Sequence, residues 1–209
     1  MSEIFLNVSS TMSRSRANGP GVRAVIWVQG CTIGCRGCYS ASTHPHEASS
    51  LHRPSEISEW LQSIPDIEGV TFSGGEPFEQ AAAVLEIINS IRENMGSDFS
   101  VFVYTGYEIE FLRKSNDRNV HDLLNAIDIL SAGPFDYKLR DETLLWRGSS
   151  NQSLHFLSDK YSIGQIEQWS LDSPIEEIVI DSDVINFTGF VGPNSGMVKA
   201  AKRIYIPRI

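Results

Sequence analysis

The sequence lacks a fourth cysteine. Its 209 residues contain only three, Cys31, Cys35 and Cys38, and all of them lie in the stretch GCTIGCRGCYS between Gly30 and Ser40. Structural zinc sites and most iron–sulfur clusters take four protein ligands. A chain of this length buries enough apolar surface to fold without a disulfide or a metal. The cysteines are therefore not needed for folding, and a metal centre built on them would be short of one protein ligand.

Long apolar runs, a leader sequence and net positive charge are also missing. The longest apolar stretches, such as Val22–Gly30, are far shorter than the roughly 20 residues of a membrane helix. The first twenty residues lack the basic-then-apolar pattern of a signal peptide. We therefore expect a cytoplasmic protein without a membrane partner, where clustered cysteines indicate a metal rather than a disulfide. The net charge of −9 disfavours a large phosphate-binding surface, so we expect no nucleic-acid partner.

Strand patterns alternate with helix patterns through the first two thirds of the chain. The patterns predict, in chain order, a strand at Val22–Gln29, a helix at Pro54–Ile64, a strand at Gly69–Ser73, a helix to about Met95, a strand at Phe99–Tyr104, a helix around Val120–Ala126 and a strand at Ile127–Ser131. This order predicts an α/β fold with right-handed βαβ units and a parallel sheet. Ligands of such sheets bind at the carboxyl ends of the strands.

The C-terminal part departs from this alternation. It contains three strand-like segments, at Ser153–Leu157, Glu177–Ile180 and Val184–Phe190, and a turn-rich segment at Gly189–Gly196. We therefore divide the chain into a core domain, residues 1–158, and a short β-rich extension, residues 159–209, which we expect to pack on the core.

The cysteine loop favours an iron–sulfur cluster. Thiolates bind soft metals, and Cys-x3-Cys-x2-Cys places three of them around one inorganic centre. Gly34 and Gly37 lie between the cysteines, where the chain needs tight turns with positive φ. A zinc site completed by His44 or His46 is the alternative, but structural zinc ligands usually come in separated pairs. If the centre is a [4Fe-4S] cluster, one iron is open to an exogenous ligand, whereas an electron carrier would use a fourth cysteine.

A second motif, Gly74-Gly75-Glu76-Pro77, follows the second strand. Two glycines there leave backbone carbonyls open to a ligand's amino group, and Glu76 adds an anion beside them. Pro77 suits the first turn of the following helix. An ordinary strand–turn–helix connection would also explain the motif. The cysteine loop one βα unit earlier makes a ligand site the better interpretation.

Together these motifs resemble the radical S-adenosylmethionine superfamily, whose marks are a three-cysteine loop of this spacing and a Gly-Gly-Glu-Pro turn. Residues from about Gly19 to His155 resemble more narrowly the activating proteins of anaerobic ribonucleoside-triphosphate reductases. The similar segments are NGPGVR at Asn18–Arg23, VQGCTIGCRGCYS at Val28–Ser40, SGGEP at Ser73–Pro77, YTGY at Tyr104–Tyr107 and LLWRGSSNQ at Leu144–Gln152.

The resemblance implies a partial, open (β/α) barrel with the cluster at its mouth. It implies that S-adenosylmethionine chelates the open iron and is cleaved reductively to a 5′-deoxyadenosyl radical. In the activating proteins this radical removes a hydrogen atom from a glycine of the partner reductase, and flavodoxin or ferredoxin is the usual electron donor.

The resemblance also implies site residues. Cys31, Cys35 and Cys38 would hold the cluster and are the catalytic residues that we expect. Contacts to S-adenosylmethionine would come from Gly37, Cys38, Tyr39, Gly74, Gly75, Glu76 and Thr105, with Tyr107 as a further candidate. Many members of the superfamily have an aromatic residue facing adenine at the position of Gly37, so Tyr39 is the alternative adenine contact here.

Two rival functions stay open. The chain extends about fifty residues beyond the usual end of the resembled proteins, which favours a related enzyme that modifies another peptide, protein or small molecule. A non-catalytic iron–sulfur sensor or electron carrier is the other rival, and both the missing fourth cysteine and the SGGEP turn disfavour it. The loop Trp146–Gln152 is polar and turn-like, and the resemblance associates it with the cofactor pocket or the partner surface.

Overall fold

The computed structural model describes residues 3–174, 176–181 and 184–190. They form nine strands and five α-helices: β1 Leu6–Ser15, β2 Arg23–Val28, β3 Ser50–His52, α1 Pro54–Ser63, β4 Gly69–Gly74, α2 Ala81–Met95, β5 Ser100–Thr105, α3 Ile109–Arg113, α4 Arg118–Ala126, β6 Ile129–Ala132, β7 Ser153–Phe156, α5 Ile166–Asp172, β8 Glu176–Asp181 and β9 Val184–Gly189. The first seven strands form one sheet and the last two form a hairpin.

The seven-stranded sheet is mixed, with the order β3-β1-β2-β4-β5-β6-β7. Strands β2, β4, β5 and β6 are parallel, as the alternation of patterns predicts. Antiparallel strands flank them, β1 and β3 on one side and β7 on the other. The α/β class is thus confirmed, while closure into a partial barrel stays a prediction. The four parallel strands share one edge at their carboxyl ends.

Strand β1 is the main element that the sequence patterns do not predict. Its sequence, LNVSSTMSRS, is rich in serine, and its buried hydrophobic positions are Leu6, Val8 and Met12. Irregular pairing with β2 between Val8 and Ser10 and again between Met12 and Ser15 breaks the strict alternation of a regular strand. The sequence patterns do not predict the short strand β3 either. Its three residues are partly or wholly exposed, so they form no apolar pattern.

The two faces of the sheet are covered by different elements. Helices α1, α2 and α4 pack side by side, and their buried side chains share one hydrophobic core with Val101 and Val103 of β5. The alternate residue of β5, Phe102, lies on the opposite face in a smaller cluster with Ile129 and Trp146. These three helices therefore lie on one face, and the other face is covered by the connections and by the extension, including α5.

The described part of the extension contacts the core. The ring of Trp169 in α5 lies 5.2 Å from that of Trp146, and the Ser15 hydroxyl donates to the Glu177 carboxylate of β8 at 2.7 Å. The predicted turn at Gly189–Gly196 falls mostly outside the described residues, and the division at residue 158 stays a prediction. No helix in residues 3–174, 176–181 and 184–190 is long and apolar enough to cross a membrane.

A fully buried arginine ties together the amino ends of the parallel strands. The Arg23 guanidinium donates to the carbonyl oxygens of Val70 and Ser100 at 2.9 and 3.1 Å, and to that of Pro20 at 2.9 Å. It also donates to the hydroxyls of Thr71 and Ser100. Burial lowers the pKa of Arg23. All of these acceptors are neutral, so hydrogen bonds rather than an ion pair compensate the buried charge.

Candidate active site

The cysteine loop begins directly after β2 and is shaped by glycines. Gly34 and Gly37 have φ values of +61° and +75°, which confirms the tight turns expected between the cysteines, and Gly30 just before them has a φ of +105°. Two backbone bonds fasten the start of the loop, from Gly30 N–H to the Thr43 carbonyl at 2.8 Å and from Cys31 N–H to the His44 carbonyl at 3.0 Å. All three thiols are free and partly exposed.

The Gly-Gly-Glu turn is joined to the cysteine loop through the backbone. Gly75 N–H donates to the Val28 carbonyl at 2.7 Å, and Glu76 N–H donates to the Gly30 carbonyl at 2.8 Å. A Cβ atom at position 75 would lie 2.2 Å from the Gly30 carbonyl oxygen. Glycine is therefore required at position 75 because the two loops approach so closely, a reason that the sequence alone does not reveal.

Glu76 is a buried carboxylate that links the ends of β4 and β5. Its Oε1 accepts hydrogen bonds from Phe78 N–H at 3.0 Å and from the Thr105 hydroxyl at 2.8 Å, and its Oε2 accepts one from Gly106 N–H at 2.9 Å. Burial raises the pKa of Glu76 to about 7, although these bonds oppose the shift. The predicted residues Glu76 and Thr105 are thus brought into direct contact.

Glu79 is a structural support of the loop that sequence reasoning missed. Its Oε1 accepts from Thr32 N–H at 2.9 Å, from the Thr32 hydroxyl and from the Tyr107 hydroxyl at 3.3 Å. Its Oε2 lies 3.5 Å from His46 Nε2. Glu79 follows Glu76 by three residues, so a second carboxylate in the first turn after the motif was the available signal.

A cavity lies between the cysteine loop and the carboxyl ends of the parallel strands. It contains about 650 Å³ of atom-free space, open solvent included. Eight predicted residues line it: Cys31, Cys35, Cys38, Tyr39, Gly74, Gly75, Glu76 and Thr105. The lining residues that were not predicted as contacts are Ile33, Ser40, His44, Ser73, Tyr104, Gly106, Gly133, Phe135, Gly148, Gln152 and Phe190.

Two predicted contacts do not line this cavity in the part of the chain that the structure describes. Gly37 packs against Tyr137, whose Cδ2 would lie 3.0 Å from a Cβ atom at position 37. Tyr107 stacks on Phe111 with ring centroids 5.0 Å apart, and its hydroxyl is directed to Glu79. Both residues support the loop or the strand end beside the cavity.

The loop Trp146–Gln152 contributes to the cavity through Gly148 and Gln152. Gln152 Oε1 accepts from Gly148 N–H at 2.8 Å, and Gln152 Nε2 donates to the Gly133 carbonyl at 2.8 Å. Trp146 itself is buried, with φ of +51°. The loop is therefore part of the cavity wall, which is one of the two locations that the resemblance suggested.

Comparison with known proteins identifies the family. A family model described as "4Fe-4S single cluster domain" matches residues 17–155. The anaerobic ribonucleoside-triphosphate reductase-activating protein of Escherichia coli K12 is 34% identical over 147 residues, covering 67% of this chain and 92% of the relative. The chain belongs to the family of anaerobic ribonucleoside-triphosphate reductase-activating proteins. The resemblance stated from the motifs is thereby confirmed, as is a 4Fe-4S cluster as cofactor.

Other members of this activating-protein family are similar to the chain as well. The activating protein of Vibrio cholerae is 35% identical over 147 residues, covering 66% of this chain and 90% of the relative. That of Enterobacteria phage T4 is 28% identical over 141 residues, covering 66% and 85%. Among solved structures, QueE from Escherichia coli aligns with 49% of this chain and 52% of its own at 17% identity, with a TM-score of 0.37. That structural likeness is too small to support an argument.

The residues of the loop fit the family's cluster. Three thiolates on one glycine-turned loop are the donor set of an iron–sulfur centre. Within the described residues, no set of three or more His, Cys, Asp or Glu side chains is close enough to hold a single metal ion. Burial raises the pKa of the Cys31 and Cys38 thiols, so metal binding must supply the free energy that deprotonates them.

Proposed function

We propose that this chain is a radical S-adenosylmethionine activating enzyme that installs a glycyl radical on an anaerobic ribonucleoside-triphosphate reductase. The observation that carries the proposal is the cavity in which three cysteines face a Gly-Gly-Glu turn across the carboxyl ends of parallel strands. Family membership supports the choice of reaction and partner, because the relatives are named as activators of that reductase.

In this proposal Cys31, Cys35 and Cys38 bind the cluster and leave one iron for S-adenosylmethionine. When bound and reduced, the cluster supplies one electron that cleaves S-adenosylmethionine into methionine and a 5′-deoxyadenosyl radical, which takes a hydrogen atom from a glycine of the reductase. The chain positions the reactants and excludes water. Glu76 and the carbonyl groups at Gly74 and Gly75 receive the ligand's amino group, and Thr105 holds the Glu76 carboxylate in place.

The same proposal includes the finer points of fold, location and partners. The sheet is the open wall of a partial (β/α) barrel, which is supported by four parallel strands with helices α1, α2 and α4 on one face. The enzyme works in the cytoplasm and receives its electron from flavodoxin or ferredoxin. The resemblance to the radical S-adenosylmethionine superfamily supports the donor.

The test is anaerobic reconstitution with iron and sulfide, followed by dithionite, S-adenosylmethionine and the reductase. We expect 5′-deoxyadenosine in the products and a glycyl radical signal in the electron paramagnetic resonance spectrum of the reductase. Formation of 5′-deoxyadenosine without that signal would assign the enzyme another peptide, protein or small-molecule acceptor. A cluster-loaded protein that does not bind S-adenosylmethionine would instead be a sensor or electron carrier.

The ligand assignment is tested by substitution. Changing any one of Cys31, Cys35 or Cys38 to Ala removes one of three thiolates, so we expect loss of the cluster's iron content and of 5′-deoxyadenosine formation. His44→Ala is the matched control, because His44 lines the same cavity but is not a ligand in this proposal. Loss of iron from His44→Ala would instead support the alternative of a four-ligand metal site completed by a histidine.

A further inference from the structure

One side of the cavity is a wall of aromatic rings centred on Tyr39. The Phe135 ring lies 5.2 Å from it at 68°, and the Phe190 ring lies 5.3 Å from it at 87°. Phe190 also contacts the Tyr104 ring at 6.1 Å. Phe190 immediately follows β9 in the C-terminal extension, beyond residue 155 where the match to the family model ends. A residue from outside the matched region therefore lines the cavity at the cysteines.

Hydrogen bonds to the core hold Phe190 in position. The Asn18 amide donates to the Thr188 hydroxyl at 2.7 Å, and both of these side chains are buried. On the paired strand, Glu177 accepts from the Ser15 hydroxyl at 2.7 Å and from Arg16 N–H at 3.0 Å. Phe190 is two residues beyond the Thr188 anchor. These hydrogen bonds therefore attach the hairpin that carries Phe190 to the core beside the cavity.

The cavity is also lined by groups of different chemistry. These are Gly74, Gly75 and Glu76 of the Gly-Gly-Glu turn. S-adenosylmethionine has a charged amino-acid end and a flat nucleobase, and each of these suits one of the two sets of lining residues. Nucleobases stack on aromatic side chains, whereas ammonium groups bind to carboxylate and carbonyl oxygens. A ligand that contacts both sets of residues would therefore have its base against the aromatic wall.

Tyr104 is another aromatic residue that lines the same cavity. Its hydroxyl oxygen is buried with no hydrogen-bond partner among the residues that the structure describes. Burial raises the pKa of Tyr104, so the hydroxyl group keeps its proton.

We propose that Phe190 forms part of the nucleobase subsite, so that the C-terminal extension completes the binding site for S-adenosylmethionine. This inference rests on the proposed function. It gives the extension a role within the active site, and it supplies an aromatic contact for adenine in a chain that has glycine at position 37.

The test measures ligand binding to the cluster-loaded protein by anaerobic equilibrium dialysis. For Phe190→Ala we expect affinity for S-adenosylmethionine and for S-adenosylhomocysteine to fall about tenfold, the order of one lost stacking contact. Affinity for methionine, which has no nucleobase, is expected to stay unchanged, as is the iron content. Phe187→Ala is the control, because Phe187 lies in the same hairpin, is 43% exposed and does not line this cavity.

Two further variants separate stacking from folding. Phe190→Leu keeps apolar volume without an aromatic ring, so its affinity for S-adenosylmethionine should still be lower than that of wild-type protein. Phe190→Tyr keeps the ring and should bind S-adenosylmethionine as wild-type protein does. Unchanged binding of S-adenosylmethionine by both Phe190→Ala and Phe190→Leu would overturn the inference, and so would an equal loss of methionine affinity, which would indicate general structural support. Wild-type protein with full iron content and no affinity for S-adenosylmethionine would overturn the proposed function as well.

Discussion

The buried carboxyl group of Glu76 should make the cofactor-free protein less stable as pH rises. Burial raises its pKa in the folded state to about 7, from an ordinary value of 4.5. Below pH 4.5 the group is protonated in both the folded and the unfolded state, so it does not change the free energy of unfolding. Above about pH 7 it is ionised in both states, and the folded state bears the whole cost of burying the charge. A shift of this size corresponds to about 3 kcal/mol.

Glu76→Gln tests this reasoning because the amide is nearly isosteric and does not titrate. Its single oxygen can still accept from Phe78 N–H and the Thr105 hydroxyl, while the bond from Gly106 N–H is lost. That loss costs about 1–2 kcal/mol at every pH. Between about pH 5 and pH 8 we expect wild-type protein to lose 2–3 kcal/mol more stability than the variant. Urea unfolding of both proteins at each pH measures the difference.

The pH profiles of the two proteins decide the outcome. Their free energies of unfolding should converge or cross as pH increases, since only wild-type protein carries the titrating group. Profiles that stay parallel would refute the reasoning. They would mean that the hydrogen bonds from Phe78, Thr105 and Gly106 stabilise the carboxylate enough to keep its pKa ordinary.

Two further substitutions test contacts at opposite ends of the parallel strands. Gly75→Ala should abolish iron binding on reconstitution, because its Cβ would lie 2.2 Å from the Gly30 carbonyl oxygen. Gly96→Ala is the control: its Cβ has no atom within 4 Å, so we expect it to retain its iron, although the positive φ of +87° with ψ of 168° should cost about 1–3 kcal/mol of stability. Arg23→Met should lower the free energy of unfolding by about 3 kcal/mol or more, since it leaves buried carbonyl oxygens without donors. A loss below about 1 kcal/mol in urea would contradict the role given to Arg23.

The parallel strands could be predicted from sequence because burial on both faces leaves an almost continuously apolar run, as in Val22–Gln29, where Arg23 and Gln29 are the exceptions. The predicted strands at Gly69–Ser73 and Phe99–Tyr104 agree with β4 and β5 to within one residue at each end. Strand β1 could not be predicted in this way, since serine and threonine fill its exposed positions and its pairing with β2 is irregular. A local pattern cannot show that a neighbouring strand will supply the missing hydrogen-bond partners.

The site shows the same difference between local and distant information. The cysteines and the Gly-Gly-Glu turn are local motifs, so both could be found by spacing and residue type. Phe135 and Phe190 have no motif of their own, and they reach the cavity only because β6 and the β8–β9 hairpin end beside it. Gly37 illustrates the converse, because a residue inside the motif packs against Tyr137 instead of lining the cavity.

The hydrogen bond between Asn18 and Thr188 spans 170 residues, which has a consequence for biosynthesis. A chain emerges from the ribosome with its N-terminal residues first. The cysteine loop, the Gly-Gly-Glu turn and all four parallel strands precede residue 133. They are therefore complete before Phe190 and its hairpin have been translated. The growing chain accordingly contains its three thiols and the rings of Tyr39, Tyr104 and Phe135 before Phe190, the last ring of the aromatic wall, is added.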